Sequence, residues 1–129
     1  MFLDTSVIIE IFRNEKSSLI FKKIFKLIKN KSLFISTIQI GEISDWCLIN
    51  DVDPIKRVSN LKEIINFVPL DEDICINGSK IKFRNRKKGN KKFSLIDGII
   101  LASARSINQT LITLDNDFKK INDVIVLQN

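Results

Sequence analysis

The chain has 129 residues, two cysteines, no histidine and a formal net charge of +6 at pH 7. This length predicts a single domain, 1–129, that folds without a disulfide or a structural metal. Without histidine, a histidine general base and a serine-histidine-aspartate triad are excluded, which leaves carboxylates and metal ions as the chemistry to consider. The positive charge favours a polyanionic partner.

The sequence carries no sign of membrane insertion or export. No apolar run approaches the roughly 18 residues that a membrane span requires, and Asp4 follows the first residue too closely for a signal peptide. Cys47 and Cys75 are isolated in apolar contexts and lack the spacing of a zinc site. We therefore expect a cytoplasmic protein that does not bind membranes.

Short apolar segments alternate with helical patterns along the chain. In order, the predicted elements are strand 1–3, helix 6–13, helix 17–29, strand 33–35, a helix through 42–48, helix 54–66, strand 67–70, helix 71–82, helix 94–106, strand 110–113 and strand 124–127. Five strands separated by helices predict an α/β fold, in which a mostly parallel five-stranded sheet is covered on both faces.

Several polar residues mark the predicted helix starts. Ser36 or Thr37 suits the N-cap of the third helix, and Asp53 followed by Pro54 is typical of an N-cap and first helical residue. Ser94 is expected to cap the last helix.

The polar stretch from Arg84 to Lys92, which includes Gly89, is predicted to be a mobile loop. Its basic side chains precede the last helix and are candidates for RNA contact, namely Arg84, Arg86, Lys87, Lys88, Lys91 and Lys92. Lysine and arginine neutralise phosphates and release counterions. The alternative is a solvated loop that maintains solubility.

Four distant acidic residues stand where a strand meets a helix or where a helix begins: Asp4, Glu42, Asp97 and Asp115. The carboxyl ends of the strands in an open α/β sheet share one crevice, so these side chains are expected to converge. Converging carboxylates repel one another, and a hard divalent cation relieves that repulsion. The pattern therefore predicts a metal site.

Each acid also has an ordinary structural interpretation. Asp97 stands three residues after Ser94 and would complete a capping box. Glu42 would be an exposed helix residue, Asp115 would cap a turn, and Asp4 would cap the first helix.

Three short motifs carry a resemblance to a known family. They are Asp4-Thr5-Ser6 after the first strand, Ser94-Leu95-Ile96-Asp97-Gly98 at a late helix, and Thr113-Leu114-Asp115-Asn116-Asp117-Phe118 near the end. With a glutamate after a strand between the first two, their order and spacing resemble the PIN-domain family, and especially the single-domain toxin ribonucleases of VapBC type. The resemblance implies an α/β/α sandwich whose acids gather Mg²⁺ or Mn²⁺ for hydrolysis of RNA phosphodiesters.

The resemblance also implies roles for individual residues. Asp4 and Asp97 look like the principal metal ligands, and Glu42 and Asp115 look like the residues that complete the acidic set. Asp117 is an additional acid that competes with Asp115 for the fourth place. Ser6 and Thr113 look like hydroxyl groups that orient a ligand or water, although both are also ordinary cap or turn residues.

The function that the resemblance implies is a metal-dependent endoribonuclease, the toxin component of a type II toxin-antitoxin system. Expected partners are an RNA substrate, a VapB-like antitoxin near the early helices and a second copy in a homodimer. The alternatives are a housekeeping PIN ribonuclease in RNA maturation or decay and a non-catalytic RNA-binding PIN module. No short motif encodes the RNA target, because RNA specificity depends on loops and on folded shape.

Overall fold

A computed structural model of the protein describes residues 1–13 and 15–128. Five strands form one sheet: β1 (Phe2–Leu3), β2 (Phe34–Ser36), β3 (Asn66–Val68), β4 (Leu111–Thr113) and β5 (Val124–Val126). Their order across the sheet is β3-β2-β1-β4-β5, and every neighbouring pair is parallel. The predicted α/β fold is confirmed.

Helices cover both faces of the sheet. They are α1 (Thr5–Arg13), α2 (Leu19–Ile28), α3 (Gln39–Ile49), α4 (Pro54–Lys62), α5 (Glu72–Lys87) and α6 (Leu95–Ser106), and a short 3₁₀ helix spans Asn116–Phe118. None of the helices in the described part of the chain combines the length and apolarity that crossing a membrane requires.

The strands alternate between two hydrophobic cores because successive side chains of a strand point to opposite faces. Phe2 and Leu111 join the core formed with α5 and α6. Leu3 and Ile112 join the core formed with α1, α2, α3 and α4. The central strands β1 and β4 are therefore buried on both sides, which explains why they read as apolar runs.

Two predicted helix boundaries were wrong. The N-cap of α3 is Ile38, which makes no side-chain cap hydrogen bond, so neither Ser36 nor Thr37 takes that place. Ser36 instead ends β2, where it pairs with Val68 of β3. Helix α4 ends at Lys62, before the predicted 66, because the chain must turn before β3 begins.

The loop predicted from Arg84 to Lys92 was wrong for its first part, Arg84 to Lys87. Helix α5 continues to Lys87, since Ile74 and Ile81 remain buried against the core and no glycine or proline interrupts the helix before Gly89. Basic residues in its last turn complement the partial negative charge at a helix C-terminus. Gly89 then adopts a φ of 97°, which reverses the chain. Arg84 to Lys87 are therefore helical, and the chain from Lys88 to Lys92 forms the turns that follow.

Helices α5 and α6 pack unusually closely at two glycines. A Cβ built on Gly78 would lie 2.7 Å from Ile99 Cγ1 and 2.8 Å from the Ile99 amide nitrogen, and one on Gly98 would collide with the Gly78 carbonyl. Only hydrogen atoms fit between the two backbones. This contact fixes the start of α6, which carries Asp97, against α5, whose C-terminal end is basic.

We predict that Gly98→Ala lowers the free energy of unfolding by about 1–3 kcal/mol, because the added methyl overpacks the contact between the helices. Gly41→Ala is the matched control, because nothing lies within 4 Å of a Cβ at that position in α3. It is expected to be neutral or to stabilise the protein by up to about 1 kcal/mol through higher helix propensity. Denaturant unfolding measures both variants. Equal effects would show that the helices separate without cost.

Candidate metal centre

The site lies where the chain changes direction across the sheet. From the central strand β1 the chain builds β2 and β3 on one side, and then returns to place β4 and β5 on the other. In open α/β sheets, the crevice at such a switch point, beyond the carboxyl ends of the strands, is the usual place for a ligand. Asp4 follows β1 directly and Thr113 ends β4, so both stand at this crevice.

Asp4 is a buried carboxylate held by neighbouring hydroxyl groups. Only 6% of the residue is exposed. Ser6 Oγ and Thr113 Oγ1 both donate hydrogen bonds to Asp4 Oδ2, at 2.8 and 2.6 Å. Ser6 Oγ also accepts a hydrogen bond from the Leu114 amide, and Thr113 Oγ1 accepts one from the Asp115 amide. The hydroxyl groups predicted to orient a ligand therefore orient Asp4 and tie the end of β1 to the end of β4.

Glu42 is positioned by a chain of polar groups from the sheet. Thr5 Oγ1 donates to Glu42 Oε1 at 2.7 Å. Gln39 Nε2 donates to Thr5 Oγ1 at 3.3 Å and to the carbonyl of Leu3 at 2.8 Å. Gln39 is fully buried one turn before Glu42 on α3. Glu42 is thus a half-buried acid turned towards the carboxyl end of β1, and its predicted alternative as an exposed helix residue was wrong.

Asp97 takes part in both arrangements that the sequence allows. Its backbone amide donates to Ser94 Oγ at 3.0 Å, and its Oδ2 accepts from the Ser94 amide at 2.9 Å, which completes a capping box at the start of α6. A carboxylate oxygen of Asp97 also lies within 4.8 Å of oxygens from Asp115 and Asp117. The cap fixes the acid at the crevice.

Asp115 and Asp117 both face Asp97. Asp115 is the N-cap of the 3₁₀ helix, and its Oδ1 accepts from the Asp117 amide at 2.9 Å. This turn presents the carboxylates of both Asp115 and Asp117. The structure therefore places both candidates for the fourth acid beside Asp97 and does not choose between them.

The acids influence one another through charge. Burial raises the pKa of Asp4, and the nearby Asp115 raises it further, while its hydrogen bonds from Thr113 and Ser6 act in the opposite direction. The pKa of Glu42 is raised mainly by burial and then by the charges of Asp4 and Asp97. The pKa of Asp97 is raised by burial and by Asp115 and Asp4. The four predicted acids therefore form one electrostatic cluster.

The raised pKa values make folding pH-dependent in a defined direction. Over the range where the folded acids hold protons that the unfolded chain has released, stability falls as pH rises. At neutral pH the ionised carboxylates therefore repel one another, which lowers the stability of the folded protein. Asp123 acts oppositely, because its hydrogen bond from Arg105 lowers its pKa, so its stabilising contribution is lost only at more acidic pH.

The basic end of α5 is fastened to this acidic turn. Asn90 Nδ2 donates to the Asp117 carbonyl at 2.6 Å. The rings of Phe93 and Phe118 meet edge to face, with centroids 5.2 Å apart. Arg86 Nε donates to the Phe93 carbonyl at 2.8 Å. The residues predicted to contact RNA are all exposed and lie on a segment fixed beside the acids: Arg84, Arg86, Lys87, Lys88, Lys91 and Lys92.

A comparison with known families decides what kind of domain this is. The PIN domain model matches residues 1–124. The chain belongs to the PIN-domain family. This confirms the resemblance carried by the three motifs. No curated protein matches the PIN domain described here by sequence.

Solved structures with the same fold come from toxin-antitoxin complexes. VapBC-1 from nontypeable Haemophilus influenzae is 25% identical, with a TM-score of 0.73 over 98% of this PIN domain and 96% of that chain. A toxin-antitoxin complex from Klebsiella pneumoniae is 20% identical, with a TM-score of 0.73 over 97% and 95%. DNA-bound VapBC from Salmonella typhimurium is 19% identical, with a TM-score of 0.72 over 98% and 95%.

The donor set of this PIN domain fits a hard divalent cation. The converging groups are carboxylate oxygens, with hydroxyl oxygens beside them, and these are the ligand types that Mg²⁺ and Mn²⁺ prefer. Three of the carboxylates already offer oxygens within 4.8 Å of one another. Their mutual repulsion is the electrostatic condition that a cation relieves.

Sequence reasoning missed two kinds of residue around this centre. Thr5 was noted within the first motif without a role, and Gln39 was not considered, although a polar residue three positions before Glu42 on the same helix was a usable signal. Lys119 and Lys120 were not predicted as basic contacts, although they follow the last motif directly and line one groove with Asp117.

We predict that two substitutions separate the capping and charge roles of Asp97. Asp97→Asn keeps an oxygen that accepts from the Ser94 amide and removes the repelling charge, so the metal-free protein is expected to be as stable as wild type or more stable at pH 7. Asp97→Ala also loses the side-chain oxygen that accepts from the Ser94 amide, which is one half of the capping box, and is expected to be about 1 kcal/mol less stable than Asp97→Asn. Denaturant unfolding in EDTA measures both. A more stable alanine variant would contradict this division of roles.

Proposed function

We propose that this PIN domain is a divalent-metal-dependent endoribonuclease and the toxin component of a toxin-antitoxin pair. The observation that carries the proposal is the meeting of Asp97, Asp115 and Asp117, with carboxylate oxygens within 4.8 Å of one another, beside an exposed run of basic side chains. An acid cluster that repels itself has no evident structural use. A cation and an RNA phosphate would complete it.

The residues proposed to hold Mg²⁺ or Mn²⁺ are Asp4, Asp97, Glu42 and Asp115, with Asp117 as an additional acid. A divalent cation in this position supplies Lewis-acid stabilisation of charge on phosphate oxygens and lowers the pKa of water. Ser6 and Thr113 would keep Asp4 from rotating, since both donate to one of its oxygens. Thr5 would hold Glu42 in the same way.

The basic surface would bring the RNA backbone to these acids. In the part of the chain that the structure describes, the two ion pairs are Arg13 with Glu10 and Arg105 with Asp123. Arg84, Lys88 and the other cations of the α5 end are thus available to phosphates. Phosphate contacts position the substrate and add affinity that weakens with salt.

The proposal of a toxin rather than a housekeeping ribonuclease rests on the solved relatives and on exposed apolar side chains. The relatives are described as VapBC or toxin-antitoxin complexes. Large apolar side chains are exposed along α2, α3 and α4: Leu19 at 58%, Phe25 at 54%, Leu48 at 66%, Ile49 at 84% and Ile55 at 80%. We take these side chains as surface that a protein partner would bury. We propose a VapB-like antitoxin and a second copy of the chain as its partners, in the cytoplasm.

We predict that the purified protein cleaves a pool of structured RNAs with Mg²⁺ or Mn²⁺, and that EDTA abolishes cleavage. Asp4→Asn and Asp97→Asn are each expected to reduce turnover by more than about 100-fold, since loss of a proposed ligand should exceed the effect of losing a supporting contact. Glu63→Gln removes the same charge from an exposed position at the end of α4 and is expected to leave turnover unchanged.

Gel electrophoresis of end-labelled RNA measures the cleavage, and circular dichroism confirms that each variant is folded. Full turnover by a folded Asp97→Asn variant would contradict the assignment. RNA binding without cleavage under either metal would instead support a non-catalytic RNA-binding module.

A further inference from the structure

A groove of about 660 Å³ lies beside the acid cluster. Its walls come from the last turns of α5, the end of α6 and the segment that follows the 3₁₀ helix. Asp117 lines the groove and also belongs to the acid cluster, so the two are contiguous.

The groove is cationic. Four exposed basic side chains line it, and none of them is ion-paired in the described residues: Arg84, Lys88, Lys119 and Lys120. Arg105 and Asp123 also line the groove, but they neutralise each other through two 2.7 Å hydrogen bonds. The four free cations therefore face only one acidic side chain of the groove, Asp117.

Side-chain amides lie among these cations. Asn85, Asn90 and Asn116 line the same groove. The amide nitrogens of Asn85 and Asn90 are used in hydrogen bonds to the carbonyls of Ile81 and Asp117, which fixes the two side chains. Their oxygens remain as acceptors on the groove wall. Fixed amides between cations suit a ligand with both phosphates and hydrogen-bonding bases.

We infer that this groove binds a single-stranded segment of RNA that adjoins the bond at the acid cluster. The inference deepens the proposed function and rests on it. The volume falls in the range of small-ligand pockets, roughly 300–1,000 Å³, so the groove can take a short stretch of nucleotides. Unstacked bases of a single strand can reach the amides, whereas A-form duplex RNA is read through its shallow minor groove and its shape.

The cations after the last motif give the clearest test, because Lys119 and Lys120 lie outside the acid cluster and are exposed. The probe is a fluorescein-labelled single-stranded RNA of mixed sequence, and EDTA prevents turnover during the measurement. Fluorescence anisotropy gives the affinity at a series of salt concentrations. The variant is Lys119→Gln/Lys120→Gln. The control is Lys22→Gln/Lys26→Gln, which removes the same charge from exposed positions on α2.

The variant is expected to bind the single strand more weakly and to reduce the salt slope by about 1.4, since each phosphate contact to a single strand contributes about 0.7. The control is expected to keep the wild-type slope. An unchanged slope in the variant, or an equal loss in variant and control, would overturn the groove assignment. The same measurement with a duplex of the same sequence tests the single-strand assignment. If the substitutions reduced the salt slope for the duplex as much as for the single strand, that assignment would be overturned.

The outcome is distinguishable from failure of the proposed function. If wild-type protein cleaves RNA but the groove variant keeps its salt slope, only the groove inference fails. If the wild type binds the single strand through Lys119 and Lys120 but cleaves nothing with Mg²⁺ or Mn²⁺, the ribonuclease proposal fails and the groove remains an RNA site.

Discussion

The structure depends on one unfavourable placement, a carboxylate buried at the end of the central strand. Asp4 is 6% exposed and follows β1 at the switch point of the sheet. Burying a charge is costly unless it is paired or hydrogen-bonded. Ser6 and Thr113 supply two hydrogen bonds, but burial still raises the pKa of the acid. The neighbouring acids add repulsion instead of relief, so the site as built is complementary to a cation.

Each of the other acids is held at this point by its own local hydrogen bonds. A capping box holds Asp97, an N-cap turn holds Asp115, and Thr5 holds Glu42. None of these local hydrogen-bond arrangements requires the others, yet the sheet brings the three acids to one crevice. The close packing of α5 on α6 at Gly78 and Gly98 then sets the distance between the acids and the basic surface.

A basic surface beside an acidic centre is the second constraint. The charges would attract and neutralise one another if the side chains were free to meet. Instead, the contacts of Asn90 with Asp117 and of Phe93 with Phe118 hold the segments side by side without ion pairs between them. The carboxylates stay available for a cation and the lysines for phosphates. Under the proposed function, the phosphates of one RNA strand would contact both the lysines and the cation held by the carboxylates.

The sequence was sufficient to predict a parallel five-stranded sheet, although not its strand order, and to predict that Asp97 and Asp115 would lie close together. Apolar strand ends followed by Asp4 and Asp115 determine which edge of the sheet they occupy, and Ser94 with Asp97 determines a helix start. The extension of α5 to Lys87 was not foreseeable from charge alone, because its stability comes from Ile81 packing on a distant core. The relay through Gln39 was missed for the same reason, since its partners Leu3 and Thr5 are more than 30 residues away.

The claim that crowded, partly buried carboxylates await a cation is tested most directly by measuring the free energy of unfolding as a function of pH, with and without Mn²⁺. Because burial and neighbouring charges raise the pKa values of Asp4, Glu42 and Asp97, metal-free stability is predicted to rise as pH falls from 7 through those raised values. Mn²⁺ at about 100 times its dissociation constant is predicted to add about 2.7 kcal/mol at pH 7. That gain should shrink at lower pH, where protons compete for the same oxygens. If metal-free stability fell as pH fell over this range, and Mn²⁺ did not raise the free energy of unfolding, the account would be contradicted.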